Sequence, residues 1–187
     1  MVFVIGLAGP GHVGKSTTAK ALVSTFNKVY PDLKVTNAAF ATPLYEVASL
    51  LIKIPIDVLK GEIYKETVWT KETSPMNSLV GWTPRKFLQV IGTECFRNNV
   101  NSDFWIDATF QEIKSFDVVF MEDSRFENEY KFSDLVIELE RDGIIYAKNH
   151  PSAMPPDEKY IYKKLKLHSK IDFTDIISEI YEIYKKD

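Results

Sequence analysis

Short apolar runs alternate along this chain with stretches in which apolar side chains recur every three or four positions. Residues 2–7 form a continuous apolar run, the pattern of a strand buried on both faces. In residues 15–29, Ala19, Leu22, Val23 and Phe26 recur at helical spacing, and Pro31 closes that unit. Residues 33–40 read as a second strand. Thr42-Pro43 opens a helix to about Lys53, with proline at its first position. Thr83-Pro84 starts another helix, to about Asn99, and Ser102 or Asp103 can cap a further one through Lys114. Residues 116–121 are a strongly apolar strand, 128–133 a short helix, 135–139 a strand and 160–167 a last strand. Residues 172–186 form an amphipathic helix with Phe173, Ile176, Ile177, Ile180 and Tyr181 on one face. Two segments break the rhythm. Residues 55–81 show no clear period and read as an excursion over a site. Residues 141–158 hold three prolines and a glycine and read as a loop.

Strands that alternate with helices favour a mostly parallel sheet covered on both faces, with ligands at the carboxyl ends of the strands. The length, 187 residues, suits one ordinary domain. A net charge of -3 lacks the basic surplus of a dedicated nucleic-acid binder, so no nucleic-acid partner is expected. The single cysteine, Cys95, excludes an intramolecular disulfide and a cysteine-built metal site, and fits a reducing cytosol. Gly9 to Lys15 interrupt the first apolar run too early for a secretory leader, and no stretch is long enough to span a bilayer. The expected place is the cytoplasm, with no membrane partner.

Chemistry enters at residues 9–16, where Gly9, Gly14, Lys15 and Ser16 match G-x-x-x-x-G-K-[ST]. Glycines let the backbone turn tightly and point successive N–H groups at phosphate oxygens. Lys15 adds a charge near the β- and γ-phosphates, and Ser16 offers a hydroxyl to Mg²⁺. The helix that follows aims its positive end at the same anion. A chance match in a glycine-containing turn is the competing explanation, but the motif follows a predicted strand and opens a predicted helix, as the mechanism requires. Residues 9–17 are therefore the expected nucleoside-triphosphate site: Gly9, Gly11, His12, Val13, Gly14, Lys15, Ser16 and Thr17. His12, His150 and His168 are too scattered for a triad or a metal cage.

The strand at 116–121 leads into Glu122-Asp123-Ser124-Arg125. A carboxylate at such a strand end is where Mg²⁺-bound water is held, with Asp123 the first candidate and Glu122 the alternative. In the helix at 83–99, Arg85, Gln89, Thr93 and Arg97 step by four as a polar stripe, opposite Phe87, Leu88, Ile91 and Cys95, which seek a core. An ordinary solvated face explains such a stripe equally well. Arginine and glutamine nonetheless suit phosphates and base edges, and Phe104-Trp105 could wall a base pocket.

These residues resemble the phage-type deoxynucleoside monophosphate kinases, a branch of the P-loop kinases. The likeness spans nearly the whole chain and rests on residues 9–16, on Phe40-Ala41-Thr42-Pro43-Leu44, on Thr83-Pro84-Arg85-Lys86-Phe87-Leu88-Gln89 with Gly92-Thr93-Glu94 and Arg97, on Asp103-Phe104-Trp105, and on Asp123-Ser124-Arg125-Phe126 with Asn128-Glu129. The resemblance implies a single three-layer α/β/α P-loop kinase domain over residues 1–187, with an acceptor-side excursion at 55–81 and a lid-like loop at 141–158. It implies ATP as donor, a deoxynucleoside 5′-monophosphate (dNMP) as acceptor and Mg²⁺. Lys15, Asp123 and Arg125 would serve catalysis. Phe40, Arg85, Gln89, Thr93, Arg97, Trp105 and Arg125 would bind the acceptor, and Ser16 with Asp123 the metal. A deoxy preference would come from a bulky wall at C2′ drawn from Phe40, Trp82, Phe104 and Trp105. If the source is a phage, the host cytoplasm is the site of action, and a homodimer is one expectation for assembly. His150-Pro151-Ser152 fits a lid pattern in which Ala153 replaces a glutamate, and His168 stands where asparagine is usual. The rivals are a P-loop kinase for another small phosphorylated acceptor, a remodelling motor, for which the chain is short, and a GTP switch. The last needs Asn-Lys-x-Asp, and Asn27-Lys28-Val29-Tyr30 lacks the aspartate.

Overall fold

The computed structural model of the chain describes residues 1–146, 154–168 and 171–186. The sequence predicts one domain with an excursion at 55–81. By internal packing the chain forms two compact units, residues 1–39 with 110–187, and residues 40–109.

The first unit carries a five-stranded sheet in the order β2-β3-β1-β4-β5, every neighbouring pair parallel. The strands are β1 (Phe3–Ala8), β2 (Val35–Ala38), β3 (Val118–Met121), β4 (Leu135–Glu140) and β5 (Lys163–Lys166). Ile5 of β1 stands opposite Phe120 on one side and Leu135 on the other, which makes β1 the centre. Its six residues are all buried, as the continuous apolar run requires of a strand covered on both faces. On one face Phe3, Ile5, Leu7, Val118, Phe120, Ile137 and Leu139 pack with Leu22 and Phe26 of helix α1 (Lys15–Val29) and with Ile176, Ile177 and Ile180 of α8 (Thr174–Tyr184). On the other face Ala8 and Val136 pack with Tyr130 of the short helix α7 (Glu127–Phe132). The result is the three-layer α/β/α arrangement of a P-loop kinase fold. The loops after β1 and β3 leave the sheet where the connections turn to opposite sides, the place at which open α/β sheets bind ligands.

The second unit is helical and has its own core of Ala48, Ile52, Leu59, Trp69, Leu79, Phe87, Leu88 and Ile91. It contains α2 (Thr42–Ile52), α3 (Ile56–Lys60), α4 (Glu62–Glu66) and α5 (Pro84–Gln89), and α6 (Phe104–Ile113) begins in it. Residues 55–81 are thus not shapeless. Trp69 is buried, its indole N–H donates to Tyr64 Oη at 3.1 Å, and its backbone exchanges hydrogen bonds with Gly81 and Trp82. Thr83 caps α5 by accepting the Lys86 N–H at 3.1 Å.

The helix predicted to run from Thr83 to Asn99 changes character halfway. After α5 the backbone becomes a π-helix over Val90–Arg97. Wider i→i−5 bonding rotates later residues away from an α-helical wheel. This corrects one expectation: Cys95, placed on the core side by α-helical spacing, is exposed. Within this stretch the Gly92 carbonyl accepts the buried Trp105 indole N–H at 2.9 Å.

Candidate active site

The loop between β1 and α1 adopts the conformation its glycines permit. Gly9 has φ 140° and Gly14 φ 108°, and a Cβ on Gly9 would stand 2.7 Å from the Leu139 carbonyl oxygen. His12 takes φ 62°, a region histidine enters more readily than most residues. Gly14 begins α1 with no side-chain cap on the helix N–H groups and no acid in the first turn. Those donors and the positive helix end are left for an anion. Gly11, His12, Ser16 and Thr17 are exposed along this loop, whereas the Val13 side chain is buried in the core, so Val13 offers only backbone.

Lys15 is buried, and its ammonium donates to the carbonyls of Gly9 at 2.7 Å and Pro10 at 2.9 Å. Its pKa is lowered to about 8, by burial first and then by the Arg125 guanidinium, with the Asp123 carboxylate opposing both. Lys15, Asp123 and Arg125, chosen separately from sequence, thus share one electrostatic environment in the first unit. Glu122 differs from its neighbour, since its carboxylate meets the Asn37 amide at 3.4 Å.

Ser16 and Asp123 are hard-oxygen donors of the kind Mg²⁺ takes. No cluster of three or more His, Cys, Asp or Glu suited to a metal exists among the described residues. Mg²⁺ needs none where substrate phosphates and water complete its shell. The donor set therefore fits.

Two residues of this unit had no assigned role in the sequence. Arg141, which directly follows β4, brings a guanidinium nitrogen to 3.2 Å of where a Gly14 Cβ would be. Its position just beyond the carboxyl end of a strand was the signal. Glu129 is almost wholly buried, and its Oε2 accepts the backbone N–H groups of Arg125 at 2.7 Å and Phe126 at 3.1 Å.

The remaining candidates belong to the second unit. Arg85 is half-exposed and pairs with Glu66 and, at 3.5 Å, with Glu62. Gln89 is exposed, Thr93 half-buried, and Arg97 Nη1 donates to the Ser102 carbonyl at 3.3 Å. Phe40 and Trp105 are each 2% exposed. Trp82 and Phe104 keep some surface, Trp82 beneath the Lys86 ammonium. The lid pattern at 150–153 lies outside the described residues, and His168 is exposed. No described helix is long and apolar enough to cross a membrane.

The first unit thus joins an all-parallel five-stranded sheet to a glycine-rich turn that ends at a buried lysine. Over most of its length the chain is similar in sequence to viral deoxynucleoside monophosphate kinases. It is 25% identical over 210 residues to the deoxynucleoside-5′-monophosphate kinase of Escherichia phage T5, covering 87% of this chain and 82% of that protein. It is 28% identical over 167 residues to a provisionally named deoxynucleotide monophosphate kinase of Acanthamoeba polyphaga mimivirus, covering 80% and 79%. No family model matches the chain.

Proposed function

We propose that the chain is an ATP-dependent kinase that transfers the γ-phosphoryl group to a deoxynucleoside 5′-monophosphate, giving the diphosphate and ADP. The observation that carries this is the phosphate loop of the first unit, with Lys15, Asp123 and Arg125 converging electrically, in a chain similar over most of its length to two dNMP kinases. The protein has little covalent work to do in such a transfer, so catalysis is positioning and charge neutralisation. The uncapped N–H groups of α1 cradle the donor phosphates, and Lys15 turns from the Gly9 and Pro10 carbonyls to the phosphate oxygens. Arg125 offsets charge on the transferring group. Ser16 and Asp123 would hold the Mg²⁺, which when bound supplies further neutralisation between the phosphates. Arg85 and Arg97 take the acceptor phosphate and Gln89 a base edge. Of the four aromatics considered for the wall at C2′, Trp82 and Phe104 keep surface with which to bar a 2′-hydroxyl. The work belongs in a cytoplasm, where ATP and monophosphates are at hand.

The test is phosphorylation of each common dNMP and NMP by ATP with Mg²⁺, read as ADP formed. At least one dNMP should turn over at on the order of 1–100 per second. Equal kcat/KM for a dNMP and its ribonucleotide would refute the deoxy preference and leave the kinase assignment standing. No product from any dNMP, or turnover of a different phosphorylated acceptor, would overturn the proposed substrate.

A further inference from the structure

We infer that Glu129 is the positioning residue for Arg125: its buried carboxylate fixes the strand-end turn from which that guanidinium is presented. The inference rests on the kinase reading above. A carboxylate 2% exposed must be compensated, because burying a charge without partners is costly. Glu129 has a local partner set: Oε2 accepts two successive backbone N–H groups, those of Arg125 and Phe126. Both belong to residues that enter α7, so the acid satisfies donors the helix leaves unpaired and also fixes where residue 125 leaves the backbone.

The residue before Arg125 is fixed too. Ser124 is buried, and a Cβ on Gly6 of β1 would stand 2.9 Å from its Oγ and 2.8 Å from the Ser133 Oγ. Gly6 therefore makes room for Ser124, and Tyr130 Oη reaches the Ser124 carbonyl at 3.4 Å. Arg125 itself is exposed. With Ser124 seated over Gly6 and the N–H groups of residues 125 and 126 tied to one oxygen, the freedom left to Arg125 is that of its side chain. A cation meant to meet charge that develops in a transition state gains from being held in advance.

Reach and charge can be separated. Glu129→Asp keeps the charge but withdraws the carboxylate by about 1.5 Å, one carbon–carbon bond. Glu129→Gln keeps an oxygen in place and removes the charge. The measurements are kcat, KM for ATP and for dNMP, and melting temperature, for both variants, for Arg125→Ala, and for Arg125→Ala combined with Glu129→Asp. Glu129→Asp should lower kcat roughly ten- to a hundredfold, the scale of a lost charged hydrogen bond, with KM for ATP within about twofold. Glu129→Gln should stay within about threefold. The double variant should be no slower than Arg125→Ala alone, a non-additivity that a purely structural role does not produce. Multiplicative losses in the double variant, an unaffected Glu129→Asp, or a Glu129→Gln at least as slow as the aspartate variant would overturn the inference alone. A wild-type rate in Arg125→Ala would overturn it together with the role of Arg125. A wild-type chain inactive on every dNMP would overturn the kinase reading itself.

Discussion

The ammonium of Lys15 donates to the carbonyl oxygen of Gly9 at 2.7 Å, so this lysine is held by its own loop. Dipoles of neutral carbonyls only partly replace water around the charge, and burial leaves its pKa at about 8. A triphosphate would favour the charged form. ATP should therefore bind with nearly constant affinity below about pH 7, then weaken as pH rises through 8, approaching roughly tenfold per unit beyond. Titration of nucleotide binding from about pH 6.5 to about pH 9.5 checks this. Lys15→Ala should flatten the alkaline limb. The stability term has its own sign. The folded pKa lies below the ordinary value of 10.5, so between about 8 and 10.5 the unfolded chain holds more protons. The contribution of Lys15 to stability therefore rises with pH across that window.

Asp123 and Glu122 are adjacent in sequence but differ in surroundings. Glu122 meets Asn37 on β2, whereas Asp123 acts on Lys15. Asp123→Asn should lower kcat at least tenfold and raise the Mg²⁺ concentration needed for half-maximal rate, while Glu122→Gln stays within about threefold. A second readout uses the lysine. Asp123 supports the charge on Lys15 and Arg125 opposes it, so Asp123→Asn should move the alkaline fall in ATP affinity to lower pH and Arg125→Ala to higher pH. A larger loss from Glu122→Gln would reverse the choice of metal carboxylate.

The glycines of the loop should not behave alike. A methyl on Gly9 meets the backbone oxygen of Leu139 at 2.7 Å and takes a φ of 140° that side chains rarely adopt. A methyl on Gly11 meets nothing within 4 Å. Gly9→Ala should cost about 1–3 kcal/mol from backbone strain alone and lower the melting temperature clearly. Gly11→Ala should leave it within about 0.5 kcal/mol of wild type by denaturant titration.

The first unit was largely legible because its signals are local. Residues 2–7 read as a doubly buried strand, the glycine spacing gave the loop, and the five apolar positions in residues 172–186 marked α8. Strand ends came out long, since residues 33–40 and 160–167 contract to Val35–Ala38 and Lys163–Lys166. The second unit hid for a physical reason. Its helices α3 and α4 have five residues each, too few to show a period, and Trp69, which pins the segment, looks like any isolated aromatic. The π-helix was invisible because Val90–Arg97 carries a pattern compatible with ordinary α-helix until a backbone bond is counted, and so Cys95 was misplaced. Glu129 stood among the motif residues without a role, because the residue three before it is Phe126, not the serine or threonine that usually marks a helix start with a reciprocal acid.

The acceptor assignment is tested most sharply at Arg85. Arg85 pairs with Glu62 and Glu66, and all three side chains are substantially exposed. Exposed pairs of this kind contribute about 0–1 kcal/mol, so a doubly charged phosphate can displace them at small cost. If Arg85 takes the acceptor phosphate, Arg85→Ala removes a charged hydrogen bond of about 1.5–3 kcal/mol. The expected outcome is at least a tenfold loss in kcat/KM for dNMP, with KM for ATP changed less than twofold. Glu66→Gln weakens the competing partner and should lower KM for dNMP by up to a few fold, the opposite direction. Arg97→Ala should follow Arg85→Ala, while Gln89→Ala should change the ranking among bases more than the overall rate. Steady-state kinetics with dNMP and ATP varied separately decides the matter. Losses confined to ATP would assign this helix to the donor. Kinetics unchanged in all of them, with stability within about 0.5 kcal/mol, would return Arg85, Gln89 and Arg97 to a solvated face.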